Sequence, residues 1–331
     1  IEADVVAAIE TRESGASMAE DAAFVETMTR LPADQMVSFY VSGSAFDSLV
    51  ALGSLGLPGT PAADEVASPV ASLGGSVGLV DEGLLVTYVA VGDDTAVESA
   101  GPDLAVLEAL PAETLGFMSI AGNQVASETT VDTAAFDALG LPMEMFEDEF
   151  GIDLVAILES LSGNLTLAAT ETRDSAIARM ADVPVGIVLA LGLTDSTPMA
   201  DLIGVATEQL SGGGLSTVVE GTVTSFVDGN GEVVSYSLQD ERLIVGTGPE
   251  LVGDVVAGQA GGLLATDIYR DLDATLAGDG LIVFADIGRI VRLIPMTSDE
   301  AAVLAPLRGM GVGVGSGSGA VVVETLLLVD Y

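Results

Sequence analysis

The sequence predicts an α+β fold: mostly antiparallel sheets with helices packed on one face, built from about three duplicated helix–strand–helix–hairpin modules. Three observations lead there. Short apolar runs separated by glycine-rich turns recur along the chain, the pattern of β-hairpins. Segments with helical spacing lie between them, as at Phe24, Val25 and Met28. One stretch, residues 21–52, returns in altered form near residue 110 and again near residue 276. The expected organisation is a helical arm at 1–20, module one at 21–100, an expanded module two at 101–262 and module three at 263–331.

The elements follow in order. Residues 1–20 carry apolar positions at helical spacing, with a break near Gly15. The helix around Phe24 ends at Leu31-Pro32, because the residue before proline avoids the helical region. A strand at 36–41, a helix at 45–52 and a loop at 53–69 come next. Residues 76–80 and 84–91 form a hairpin across Asp81-Glu82-Gly83. Module two repeats the corner as Leu110-Pro111-Ala112-Glu113 before a strand at 115–120. It then takes in helical insertions at 136–139, 144–153 and 154–161. Strands at 164–170 and 185–193, a helix at 198–209 and a meander at 222–227, 233–238 and 242–245 follow. A helix at 249–256 opens with proline in its first turn. Module three holds a helix around Tyr269, a strand at 281–285, a helix at 287–293 and a terminal hairpin of 311–315 with 320–329. Modules one and three align without a gap: Leu31 with Leu276, Asp34 with Asp279, Phe39 with Phe284 and Gly43 with Gly288. Such a module cannot bury both faces of its strands alone, so the copies share a sheet or stack.

Composition narrows the function. Hydrophobic residues make up 49% of the chain, aromatics 4%, and Trp is absent, so the core is aliphatic. No apolar run reaches the roughly 18 residues of a membrane span. The 50 acidic residues face 9 basic ones, every one an arginine, for a formal charge of −41. That field repels phosphate backbones and anionic membranes, which argues against nucleic acid as a partner. The chain begins at Ile1 rather than Met, which we read as an exported protein whose leader or anchor has been removed.

A family resemblance rests on four short motifs taken in order. They are the corner Leu31-Pro32-Ala33-Asp34, the strand Gly163-Asn164-Leu165-Thr166-Leu167, the segment Val185-Gly186-Ile187-Val188-Leu189-Ala190, and Arg242-Leu243-Ile244-Val245-Gly246-Thr247 before a helix. Together with the helix led by Tyr269 they resemble the bacterial exported proteins of the domain of unknown function 3352 family, over residues 21–331. The resemblance implies an exported or membrane-anchored bacterial protein located outside the cell or at its surface. It carries no catalytic residues.

The chemistry available is limited. Without His, Cys or Lys there is no Ser-His-Asp triad, thiol nucleophile, Schiff base, phosphate-loop lysine or histidine zinc site. Carboxylates remain, and they bind hard cations. Asp228, Asn230 and Glu232 alternate across a glycine-rich turn and can offer oxygens to Ca²⁺, although the same turn is ordinary hairpin chemistry. Glu144, Glu147, Asp148, Glu149 and Asp153 form an acidic run, either a solvated face or a site of diffuse cation binding. Arg289 and Arg292 stand on one helix and can meet an acidic neighbour. The run 320–329 is a core strand or, at a sheet edge, a template for pairing.

The expectation is therefore a non-enzymatic, acidic structural or interaction protein that needs no cofactor beyond possible Ca²⁺ and assembles with itself into a filament or surface layer. The alternative is a binding module for a lipid or other apolar ligand. A carboxylate-based or metal-dependent hydrolase stands third.

Overall fold

A computed structural model describes residues 18–45, 70–92, 101–120, 152–258 apart from 230, and 262–330 apart from 277, 279 and 318. One thirteen-stranded sheet runs through all of it, in the order β1-β2-β3-β13-β12-β11-β4-β5-β6-β10-β9-β8-β7. Its strands are β1 (Val37–Ser42), β2 (Val70–Val80), β3 (Gly83–Gly92), β4 (Thr114–Ile120), β5 (Leu161–Glu171), β6 (Val185–Leu193), β7 (Ser216–Glu220), β8 (Val223–Asp228), β9 (Gly231–Gln239), β10 (Arg242–Gly246), β11 (Leu281–Ala285), β12 (Leu307–Gly317) and β13 (Ala320–Val329). Every neighbouring pair is antiparallel. The order resolves into consecutive meanders: β1–β3, β13–β11 reversed, β4–β6 and β10–β7 reversed. Adjacent meanders meet last strand to last strand, or first to first as at β11–β4. Because the strand number is odd and directions alternate, the edge strands β1 and β7 run the same way.

The helices start where the sequence supplies caps. α1 (Ala22–Thr29) opens on Asp21, α2 (Leu104–Ala109) on Asp103, and α3 (Leu154–Glu159) on Asp153, each through side-chain acceptance of a first-turn N–H. α4 (Ala176–Ala181) uses Ser175; α5 (Thr197–Gly212) and α6 (Pro249–Ala257) carry proline in the first turn. α7 (Asp267–Thr275) uses Thr266, α8 (Ile287–Leu293) uses Asp286, and α9 (Ser298–Leu304) has a full capping box of Thr297 and Glu300. Asp103 serves twice: one oxygen caps α2 and the other accepts from Arg242 on β10 at 3.0 Å.

The main core lies between one face of the sheet and α2, α6 and α7. Leu107, Leu110, Val252, Leu263 and Leu272 meet Ala168, Val188, Ile244, Leu281 and Leu326 there, all nearly devoid of solvent. At the β11–β4 seam Phe117 and Phe284 stack at 5.8 Å, and Tyr269 of α7 closes the group at 5.9 Å from Phe284. α1 covers the β1–β3 end through a polar contact, Thr27 Oγ1 to Ser72 Oγ at 2.6 Å. Gly74 allows the approach, since a β-carbon there would stand 2.5 Å from the Thr27 methyl.

The antiparallel α+β prediction holds, but helices do not keep to one face. Leu193 and Leu243 point away from the main core and bury against Ile157 of α3 and Met199 of α5. The reason is in β6, Val-Gly-Ile-Val-Leu-Ala-Leu-Gly-Leu, which is apolar at every position and must be covered on both sides. β13 lies between β3 and β12, so it is a core strand and not an edge. The structure adds β7, α4 and α9 to the expected elements. The helix–corner–strand order occurs at α1–β1, α2–β4 and α7–β11. Phe39 and Phe284, aligned in sequence, nevertheless point to opposite faces. Phe39 leans on Tyr88, whereas Tyr40 is the residue that meets the helix, through Phe24. A one-residue slip reverses every side chain of a strand.

Candidate functional site

The expected carboxylate chemistry does not converge. Asp228 ends β8 and pairs with Gly231 at the start of β9, while Asn230 lies outside the described residues. Glu232 belongs to β9, and its side chain lies outside the described residues. The acidic run at 144–149 is also outside them; Asp153 caps α3 through the Ala156 N–H at 2.9 Å. Among the described residues, no three carboxylates gather as a metal ion would require. Among them, too, no helix is long and apolar enough to cross a membrane.

Arginines converge instead. α8 starts beside β4, where the Asp286 N–H bonds the Leu115 carbonyl at 2.8 Å. Arg289 donates to the Ala112 carbonyl at 2.8 Å and pairs with Asp286 at 3.6 Å. Arg292, one turn on, faces a cleft of about 540 Å³ lined by Glu113, Glu171, Thr172, Arg173, Pro184 and Arg289. Glu113 and Glu171 are brought together by the β4–β5 pairing, where the Glu171 N–H bonds the Glu113 carbonyl at 2.9 Å. The helical spacing of Arg289 and Arg292 marks half of this site in the sequence. Arg173 and the two glutamates carry no such signal, since only strand register places them there.

The second notable surface is the pair of sheet edges. All of β7 is exposed, with Val219 at 65%, and the first half of β1 is exposed, with Val37 at 61%. β1 carries no charge and no proline, and β7 carries a single charge, Glu220. Natural edge strands are usually blunted by such residues, by bulges or by a cover.

Comparison of the chain with family models, with curated proteins and with solved structures finds no match.

Proposed function

We propose that this is a non-enzymatic, exported, acidic structural protein that assembles with itself by extending its sheet. The observation that supports it best is the pair of edge strands, with neither proline nor a row of charges among the described residues, at opposite ends of one continuous antiparallel sheet. Each edge presents backbone N–H and C=O groups able to bond another strand, and no charge row keeps a partner away. Export rests on the family resemblance and on the lysine-free, acidic composition.

The parity of the sheet limits the seams that such joints could form. Since β1 and β7 run the same way, joining β7 to β1 of the next copy with helices on the same side gives a parallel seam. A two-fold axis normal to the sheet gives antiparallel seams, β7 on β7 and β1 on β1. The β11–β4 seam inside the molecule has that first-to-first antiparallel form. In a β7–β7 joint centred on Val218, Ser216 faces the partner's Glu220, so hydroxyl meets carboxylate and like charges stay apart. Alternating the two joints extends the sheet without closure. We further infer that the three helix–corner–strand units arose by duplication of one module, with a slip of one residue in β1 relative to β11.

The test is size measurement by light scattering, with negative-stain microscopy, as salt or Ca²⁺ is raised. Growth into polymers is expected once the charge of −41 is screened. A monodisperse monomer at high salt and with Ca²⁺ would overturn the proposal.

A second reading, binding of a lipid or other apolar ligand, draws on the sheet face that lies opposite α1 and α7. Phe39, Tyr88, Met118, Leu167 and Ile187 are all partly open to solvent there. Mass spectrometry of organic extracts of the native protein checks it: recovery of a stoichiometric lipid supports this reading, and a lipid-free extract removes it.

A further inference from the structure

With acidic residues outnumbering arginines 50 to 9, an arginine with a carboxylate partner is the ordinary case in this chain. Arg30, Arg242, Arg270, Arg289 and Arg308 conform. Arg173 and Arg292 do not: among the described residues neither has a carboxylate within 4.0 Å. Both line the same cleft, and among the described residues its two glutamates, Glu113 and Glu171, also lack an ion pair. Two cations and two anions thus line one open cleft without closing on each other. Its volume of about 540 Å³ falls in the range of small-molecule pockets, roughly 300–1,000 Å³.

Charge decides what can fill it. A simple anion would gain the guanidiniums and meet the glutamates; a simple cation would meet the reverse. A ligand carrying both signs satisfies all four groups. A carboxylate suits the planar forks of Arg173 and Arg292, and an ammonium suits Glu113 and Glu171. Arg289 stays tied to Asp286 and the Ala112 carbonyl, so it holds α8 against the corner and fixes the base from which Arg292 projects. We propose that this cleft binds a zwitterion, a free amino acid or a short peptide with both termini charged. The site is independent of self-association.

Isothermal titration of the full chain at low salt tests it with three probes: glycylglycine, propionate and propylammonium. Glycylglycine is expected to give saturable heat, with each singly charged probe binding at least about tenfold more weakly. Arg292→Gln and Glu171→Gln are each expected to weaken glycylglycine by roughly tenfold or more, the usual consequence of losing one charge-assisted contact. Arg173→Gln, on the exposed turn after β5, provides a second cation variant, and unchanged thermal melts confirm that all three fold. No saturable binding, propionate binding as tightly as the dipeptide, or variants that bind like the parent would each overturn the assignment.

Discussion

At the scale of single residues, burial and hydrogen bonding set the pH limits of the fold. Tyr269 sits against the Phe117–Phe284 pair with 4% of its surface exposed, and burial, then the charge of Asp273, raises its pKa above the ordinary 10.0. The stability tied to its neutral form is complete below that ordinary value and is lost as pH rises past it, since the unfolded phenol ionises first. Ultraviolet titration should find one tyrosine that stays protonated until the protein unfolds. Two exposed carboxylates respond in the opposite direction. Thr297 donates its backbone N–H and its hydroxyl to Glu300, lowering the glutamate below the ordinary 4.5. Asp195 is lowered in the same way by Thr197. These bonds contribute fully above the ordinary carboxylate values and are lost as pH falls through the lower folded ones. Amide exchange should therefore show the first turns of α9 and α5 opening on acidification before the central strands do. Phe284→Ala, which empties the aromatic group at the seam, should cost about 3–5 kcal/mol in denaturant unfolding.

At the scale of elements, the limits of β6, β11, β13 and α8 match the sequence reading to the residue, because turn formers bound each apolar run. β7 escaped it for a physical reason. It is five residues with no buried side, so it lacks the alternation that a half-buried strand shows. α4 and α9 are also short, with half or more of their residues exposed. The cleft was legible only where its residues share a helix; the contribution of β4 and β5 depends on cross-strand register, which local patterns do not encode. α1 offers a test of element packing. Gly74→Val would drive a side chain into Thr27 and should cost about 1–3 kcal/mol, appearing as lost protection of α1 amides with the sheet intact.

At the scale of the molecule, charge and strand edges oppose each other. In the proposed assembly, surplus carboxylates would keep copies apart at low salt, and the edges would draw them together once charges are screened. Substitution at the edges separates the two modes of joining. Val218→Glu places like charges face to face across a β7–β7 axis, and Ser38→Glu disrupts β1. If the joints are two-fold, either variant alone should stop at dimers in light scattering, and the double variant should stay monomeric. If copies join head to tail, each single variant alone gives monomers.

The odd number of strands among the described residues also carries a kinetic consequence. A fibre whose joints are all two-fold has no polarity. It could not lengthen faster at one tip than at the other, and no capping factor could tell a front from a back. Anchoring it to a surface would have to use its sides, where the helices and the arginine cleft lie.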